Sequence, residues 1–460
     1  MNNNIYDVAI IGGGISGLSA LHFLKHIEPN INVKLFESDS RLGGTIGTDK
    51  IDGYSFDWGP NGFLDREPLT LQMVEQLGLN DSLERAGENV SNRFILREGK
   101  LRPVPMSPPK FLTSDILPLS GRLRVMMEPF AKKRTPDIDE SIYDFVQRRI
   151  GTQAADYLVQ PMVSGVYGGV ADRLSLQSCF PIMREMEDEY GSLFKAMIAK
   201  AKQAKAKKKK SGAPSGPGGW LTSFKGGLYT VIEKFQSKYA DQIACNMTAK
   251  TITKDSDLYT VTFTNGETVT AKHIVLATPT YRASEMLKEL SSSLSQSFNS
   301  IPYAPISVVC LGYKKEDVNH KLDGFGFLVP QKENLNILGS IWTSSIFENR
   351  APEGTVQFRT MIGGDGDHKS INLSDDDLLA LVEKDLNAIV GIKGKAELSK
   401  IYRWTRGIPQ FKIGHKAIMT RLEEELARNK NLHITGNAYY GISLNDCIKQ
   451  SYKVAEKITQ

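Results

Sequence analysis

Six residues near the start of the chain, Gly12-Gly13-Gly14-Ile15-Ser16-Gly17, have the G-x-G-x-x-G spacing of a loop that lets backbone approach a pyrophosphate. In such a loop Gly12 makes the tight turn, Gly14 leaves room for phosphate oxygens, and Gly17 lets a helix pack closely on a strand. The unpaired N–H groups and the dipole of the helix N-terminus then favour negative charge. Glu37, with Ser38 beside it, stands 20 residues after Gly17, where a carboxylate accepts hydrogen bonds from an adenosine ribose. That carboxylate would repel a 2′-phosphate, which disfavours NADP. The chemistry suggested is the binding of a dinucleotide.

These residues need a strand before the glycines and a helix after them. Residues 6–11 are a β-branched run, 15–27 carry a helical pattern and 33–36 read as a second strand, which makes a β-α-β unit. A helix follows over 69–77, an irregular proline-rich segment over 100–118, and helical patterning over 138–186. Two β patterns lie within 243–263, closed by the turn at Asn265-Gly266, and 273–279 reads as a buried strand stopped by proline. Strand signals at 306–313, 325–329, 337–342 and 356–362 suggest a mixed or antiparallel sheet crossed by a helix over 375–389. A strand at 432–435 and a helix over 444–458 close the chain.

The continuation after Glu37 separates FAD from NAD. Arg41-Leu42-Gly43-Gly44-Thr45 resembles the R-x-G-G element of the glutathione-reductase-like flavoprotein superfamily, which implies glycines close to the flavin-side phosphate. Gly436-Asn437 and Gly441-Ile442-Ser443-Leu444 repeat a strand-to-helix geometry at the other end of the chain. A helix N-terminus there could stabilise charge on a reduced flavin.

Further motifs are more particular. Gly53-Tyr54 is followed by Gly59-Pro60-Asn61-Gly62-Phe63-Leu64, then by Gly99-Lys100-Leu101-Arg102-Pro103-Val104-Pro105 and Pro161-Met162-Val163-Ser164-Gly165-Val166-Tyr167-Gly168-Gly169. Ser223-Phe224-Lys225-Gly226-Gly227-Leu228, Gly324-Phe325-Gly326-Phe327-Leu328-Val329-Pro330, Asn349-Arg350-Ala351-Pro352 and Ile408-Pro409-Gln410 with Gly414-His415 come later. In order and spacing the chain resembles the protoporphyrinogen oxidase family of FAD-dependent, oxygen-using porphyrinogen oxidases. Amine oxidases and carotenoid desaturases share the ends but not the middle.

The resemblance implies an α/β fold, with a Rossmann-like FAD-binding domain of the glutathione-reductase/amine-oxidase type, a mixed-sheet substrate domain and a helical insertion. It places the FAD-binding domain at 1–80, 220–282 and 401–460, a mainly helical, membrane-associating domain at 81–219, and a substrate-binding domain at 283–400. It implies the six-electron oxidation of protoporphyrinogen IX to protoporphyrin IX, with oxygen as acceptor and hydrogen peroxide released. No Ser-His-Asp, Cys-His or paired-carboxylate constellation stands out, as suits a site in which the flavin carries the chemistry.

Residue by residue, the resemblance implies a propionate contact at Arg93 and a macrocycle sandwich from Phe325, Gly326, Leu328, Ile341 and Met361. It implies FAD contacts at the glycine loop, the Gly59-Pro60-Asn61-Gly62 turn, Ala249 and Trp404. Relatives that oxidise coproporphyrinogen III tend to carry a lysine where this chain has Glu67, and to lack the arginine matched by Arg93, so protoporphyrinogen is preferred and coproporphyrinogen III is the alternative. A related amine oxidase or desaturase is the nearest rival, and a non-catalytic FAD-binding docking protein is the rival of a different class. Homodimerisation and hand-over of product to the next haem-pathway enzyme are further expectations.

The chain has 460 residues, 40% hydrophobic and 24% charged, at formal charge +5, which fits a folded globular protein of two or three domains. Four dispersed cysteines without C-x-x-C suggest neither a zinc site nor a disulfide framework, and no metal is expected; His22 and His26, four apart, lack a third ligand. No signal peptide and no bilayer-spanning run is read, so the expected location is cytoplasmic, with peripheral membrane contact at most. Residues 195–210 hold eight lysines and no acid, and run into the Gly, Pro and Ser-rich stretch 211–219. A solvated helix end and flexible loop is the plain reading, and attraction to anionic lipid is the sharper one. A nucleic-acid site is set aside because no aromatic residues alternate with the lysines.

Overall fold

The computed structural model describes residues 5–460 apart from 88, 89, 91, 136, 137 and 207–218, and no side chain over 204–206. Lysines 207–210 of the basic run and residues 211–218 of the stretch after it lie outside the described residues.

Two sheets organise the chain. In the first, the strands Ile243–Ala244, Val33–Phe36, Ile5–Ile11 and Thr268–Leu276 lie side by side and parallel, with Leu432–Ile434 parallel to the far half of Thr268–Leu276. The antiparallel strands Leu258–Phe263 and Ala249–Asp255 continue from its near half. Val8, Ala9 and Ile10 are wholly buried, as expected of a parallel strand covered on both faces. The helix Ile15–Ile27 packs on the terminal helix Leu444–Thr459, and Ser451 Oγ donates to the Ser16 carbonyl at 2.8 Å. The register pairs Ile11 with Phe36 and Leu276, and Leu276 with Ile434. Gly12, Glu37, Ala277 and Thr435-Gly436 therefore all emerge at one edge, the carboxyl end of the strands, where open α/β sheets bind ligands.

The second sheet has seven strands, in the order Leu398–Pro409, Tyr303–Lys314, Thr355–Gly363, Ile337–Trp342, Gly326–Leu328, Phe94–Arg97 and Lys100–Pro103. One face carries Val309, Leu311, Phe327, Trp342, Phe358 and Ile362, and the helix Asp375–Val390 covers it through Leu378, Val382 and Leu386. Directly paired residues share a face. The opposite face is therefore fixed by the pairs Ile95 with Leu328, Gly326 with Ile341, Ile341 with Arg359, Gly339 with Met361, Met361 with Val308, and Ile306 with Trp404.

Most expected elements lie where the sequence puts them, and the differences have physical causes. The 100–118 segment holds the strand Lys100–Pro103 and the helix Pro108–Thr113. Proline is tolerated in both places, since Lys100–Pro103 is an edge strand and Pro108 and Pro109 occupy a first helical turn. Phe94–Arg97 and Lys100–Pro103 belong to the second sheet, so that part of 81–219 is not helical. The boundary expected at 400/401 falls inside the strand Leu398–Pro409, and the helix His415–Arg428 adds a further element. The remaining 81–219 segment is mainly helical, and buried Glu128 there accepts from Arg149, from Ser192 Oγ and from the N–H groups of Leu193 and Phe194. It thereby caps the helix Leu193–Ala206 that carries the first lysines of the basic run.

Candidate cofactor and substrate site

The glycines of the first loop divide into two kinds. Gly12 has φ +110°, and a Cβ there would lie 2.7 Å from the Ala277 carbonyl oxygen, so only glycine fits. A Cβ on Gly17 would overlap the Gly12 carbonyl. Gly14 differs: a Cβ built on it meets nothing within 4 Å, although it sits at the N-cap of Ile15–Ile27 with no side chain capping the helix. The first N–H groups of a helix lack intrahelical acceptors, and a helix start beside open space is an arrangement that accepts an anion.

Glu37 is nearly buried beside this loop. Gly13 N donates to its Oε2 at 2.6 Å, and Ser38 Oγ and Asp39 N donate to Oε1 at 2.8 and 2.9 Å, which fixes the carboxylate at the carboxyl edge of the sheet. Met247 N donates to the Glu37 carbonyl at 2.7 Å, and Ala249 begins its strand two residues later at the same edge.

The R-x-G-G element folds against the first loop, with Gly43 N donating to the Gly13 carbonyl at 2.9 Å and Gly43 bridging Gly14. Gly43 and Gly44 have φ of +107° and +56°. Arg41 braces this turn from within by donating to the carbonyls of Leu42, Ile46 and Gly44, and its guanidinium lies 4.3 Å from the Trp58 ring. A Cβ on Gly59 would overlap the Thr45 carbonyl, and one on Gly62 would lie 2.6 Å from the Thr222 oxygen, so the 59–62 turn is also closely packed.

Three buried polar atoms around these loops, Trp58 Nε1, Asn61 Nδ2 and Thr278 Oγ1, have no hydrogen-bond partner among the described residues. Buried polar groups are seldom left unpaired, and an unmet group implies a ligand or water. An open phosphate cradle, a fixed ribose-side carboxylate and unpaired donors together fit FAD.

At the other end of the chain Gly436 and Gly441 have φ of +144° and +151°. Asn437 and Ile442 are half-buried between them and the terminal helix, and Leu444 packs against the core of the first sheet. Ser443 caps that helix in a reciprocal box with Asp446. The positive end of its dipole is thus already met by an acidic side chain of the chain itself, which reduces what it can offer a reduced flavin.

The residues named for the macrocycle come together. Gly326, Leu328, Ile341 and Met361 share the face of the second sheet away from the helix Asp375–Val390. Gly326 has φ +140°, and a Cβ there would overlap the Ser340 carbonyl. Leu328 reaches the helix Gln160–Tyr167, where its Cδ2 would lie 2.6 Å from a Cβ on Gly165. Phe325 packs with Ile341, Ile346 and Phe347. Arg93 places its guanidinium 5.5 Å from the Phe325 ring, and among the described residues it makes no side-chain hydrogen bond or ion pair. Burial pulls its pKa below the usual arginine value.

Sequence reasoning gave no role to Arg359, Gln357 and Arg350; Arg359 and Gln357 lie on the same face as Met361, together with Trp404, which was expected as an FAD contact. Arg359, fully enclosed, donates from Nε to the Asp57 carbonyl at 3.3 Å and from Nη2 to the Gly59 carbonyl. Trp404 Nε1 donates to the Trp58 carbonyl at 3.4 Å, and Gln357 Nε2 to the Ser55 carbonyl at 3.0 Å. Arg350, also buried, donates to Ser223 Oγ and the Phe224 carbonyl and lies 3.5 Å from Asp57 Oδ2. Burial raises the Asp57 pKa against the pull of Arg350. The available signal was Gln357 and Arg359, two long polar residues at alternate positions of a largely buried strand.

His22 is buried between Tyr239 Oη and Gln76 Oε1, each 2.8 Å away, and Gln76 Nε2 meets His26 at 2.9 Å. Among the described residues no group of three or more His, Cys, Asp or Glu comes together to hold a metal ion. His415 stacks on Phe411 at 4.2 Å with Nε2 3.2 Å from the Tyr439 carbonyl, and burial lowers its pKa.

Comparison with known proteins agrees with this geometry. The family model "Flavin containing amine oxidoreductase" matches residues 15–459. The chain is 32% identical to protoporphyrinogen oxidase, chloroplastic, of Oryza sativa subsp. japonica, over 98% of its own length and 88% of that protein's. It is 29% identical to coproporphyrinogen III oxidase of Bacillus subtilis (strain 168), over 98% of its length and 97% of the relative's. Among solved structures, an Exiguobacterium protein assigned as a protoporphyrinogen oxidase superposes with a TM-score of 0.83 at 24% identity, covering 98% of each chain. Reduced UDP-galactopyranose mutase gives 0.76 at 16%, covering 98% of this chain and 93% of that one. At these identities the structures speak for the fold alone. The chain belongs to the flavin-containing amine oxidoreductase family and is an FAD-dependent oxidoreductase.

Proposed function

We propose that the chain oxidises a porphyrinogen, converting protoporphyrinogen IX to protoporphyrin IX by removal of six electrons, with oxygen re-oxidising the flavin and hydrogen peroxide released. One observation carries this reading: an apolar sheet face of Gly326, Leu328, Ile341 and Met361 lies beside Arg93, a guanidinium with no hydrogen-bond or ion-pair partner among the described residues. A flat apolar macrocycle with acidic arms suits that pairing, since its ring lies on the face while a propionate takes the guanidinium fork. FAD, when bound, supplies the two-electron acceptor for the bridge C–H bonds. The protein's residues bind, orient and exclude water. The loops at Gly12–Gly17, Glu37-Ser38, Arg41–Thr45 and Gly59–Gly62 hold the cofactor together with Ala249, Trp404, Gly436-Asn437 and Gly441–Leu444.

Anaerobic mixing with protoporphyrinogen IX, coproporphyrinogen III and a polyamine, followed by flavin absorbance, tests the proposal. Protoporphyrinogen IX is expected to bleach the flavin fastest and the polyamine not at all. Bleaching by no porphyrinogen would leave a flavoprotein of other function, including a non-catalytic docking protein. The full-length similarity to a coproporphyrinogen III oxidase favours coproporphyrinogen III as the second reading.

The helical segment is proposed to rest on an anionic membrane surface. Among the described residues no helix is long and apolar enough to cross a membrane. Leu119, Leu123, Met127 and Phe130 expose apolar surface there, Phe130 at 82%, and Met197 and Ile198 do so beside Lys195, Lys200 and Lys202. Apolar side chains flanked by lysines are the pattern of an interfacial helix.

A further inference from the structure

Four backbone carbonyls between Ser55 and Gly59 accept hydrogen bonds from side chains of the second sheet. Gln357 donates to Ser55, Trp404 to Trp58, and Arg359 to both Asp57 and Gly59. Arg359 thus acts on both sides of Trp58, and Trp58 in turn packs against the Arg41 guanidinium and stacks on Tyr402 at 5.5 Å. The segment leads directly into the Gly59–Gly62 turn, where Asn61 Nδ2 has no partner among the described residues. Arg359 shares its sheet face with Ile341, Met361 and Cys310, so the same strand Thr355–Gly363 supplies the apolar floor and the clamp on the turn.

We propose that Arg359 is a positioning residue: by holding the Asp57 and Gly59 carbonyls it fixes the Gly59–Gly62 turn, and with it the flavin, at a set distance from the substrate-bearing sheet. The inference rests on the flavin and porphyrinogen sites proposed above. A planar guanidinium can reach two carbonyls at once, whereas a single ammonium on a flexible stem holds one without fixing the angle between them. A purely apolar replacement leaves both carbonyls without their donors. Gln357 is a matched control, because it too is fully buried and bonds the segment, but at its far end from the turn.

The test compares the holoenzyme with Arg359→Met, Arg359→Lys and Gln357→Met. Flavin release on dilution, read by fluorescence, needs no substrate; anaerobic flavin reduction by protoporphyrinogen IX reports placement. Arg359→Met is expected to release flavin and to lose reduction rate by about tenfold or more, with Arg359→Lys between it and wild type. Gln357→Met is expected to lose Tm but to keep both rates within about twofold. Wild-type release and reduction in Arg359→Met, or losses no greater than those of Gln357→Met, overturn the proposal. If Arg359→Met does not fold, Arg359→Lys carries the test, and wild-type release and reduction in it overturn the proposal. If wild type is not reduced by any porphyrinogen while the variants keep this order of flavin release, the substrate reading falls and the clamp stands.

Discussion

Replacing Arg93 with alanine separates a binding arginine from a structural one. In the protein this guanidinium has no carboxylate and no hydrogen-bond acceptor among the described residues, only the Phe325 ring 5.5 Å away. A cation over an aromatic face is worth about 0.5–1 kcal/mol at a partly exposed site, and desolvation of the charge works against it. The free protein should therefore lose little: Tm of Arg93→Ala is expected within a few degrees of wild type, with an unchanged flavin spectrum.

With substrate bound the balance reverses. A propionate facing Phe325, Ile341 and Leu328 without its partner is an uncompensated carboxylate in apolar surroundings. Truncating one member of a well-buried charge pair costs about 2–5 kcal/mol, and the half-exposure of Arg93 argues for the lower end. Each tenfold in rate is about 1.4 kcal/mol, so kcat/KM for protoporphyrinogen IX should fall by at least about tenfold and by up to roughly a hundredfold. Arg93→Lys should regain part of this, because it restores charge without the fork. Steady-state kinetics with anaerobic flavin reduction make the measurement. Wild-type kcat/KM in Arg93→Ala would refute the propionate contact, and with it the preference for protoporphyrinogen over coproporphyrinogen.

Three other perturbations have expected outcomes. Gly14→Val should fold, because nothing lies within 4 Å of its Cβ, yet emerge colourless because the side chain fills the phosphate space; Gly17→Val should fail to fold well, since its Cβ overlaps the Gly12 carbonyl. Yellow, fully loaded Gly14→Val would remove the dinucleotide from this loop. Burial holds the pKa of His22 down to about 4 and of His433 to about 3, so each binds protons more readily unfolded than folded. Their stabilisation is complete above about pH 6.5 and is lost as pH falls toward those values, on the order of 2 kcal/mol for His22 between pH 6.5 and 5. Denaturant titration of His22→Gln should show a flatter loss over that window, and an unchanged slope would count against it. Charge reversal of Lys195, Lys200 and Lys202 should weaken binding to anionic vesicles, as added salt should, by about 1 kcal/mol for each lysine that reaches the surface. Equal pelleting of the variant would move attachment to Leu119, Leu123 and Phe130.

The phosphate loop was readable from sequence because its demands are local: a positive φ at Gly12 and the close approach at Gly17 are met by glycine alone. The shared face of Gly326, Leu328, Ile341 and Met361 was within reach because strand side chains alternate with period two. The strand Leu398–Pro409 was not, since it is an edge strand carrying Lys400, Arg403 and Arg406 and shows little apolar alternation. The helix His415–Arg428 buries only His415, Met419 and Leu422, too narrow a stripe to stand out. The Arg359 clamp was hidden for a different reason, as its carbonyl partners lie about 300 positions earlier in the chain. A buried charge-assisted hydrogen bond of that kind exists only once two distant segments are packed together.

Glu67 bears on specificity differently from what its sequence position suggests. It stands at the N-cap of the helix Pro68–Gln76, and its Oε2 lies 4.0 Å from Lys449 on the terminal helix. Both elements pack on the core of the first sheet, and neither belongs to the sheet that carries Ile341 and Met361 beside Arg93. A carboxylate at a helix N-terminus with a lysine beside it is accounted for by the helix dipole and a surface pair. A lysine at position 67 would set two ammonium groups against each other where Glu67 now meets Lys449, and the repulsion would be felt between two helices. On the reading proposed above, the charge that meets a propionate on the apolar face is that of Arg93, and discrimination between two acidic arms and four would turn on how many carboxylates reach that fork and what surrounds the rest.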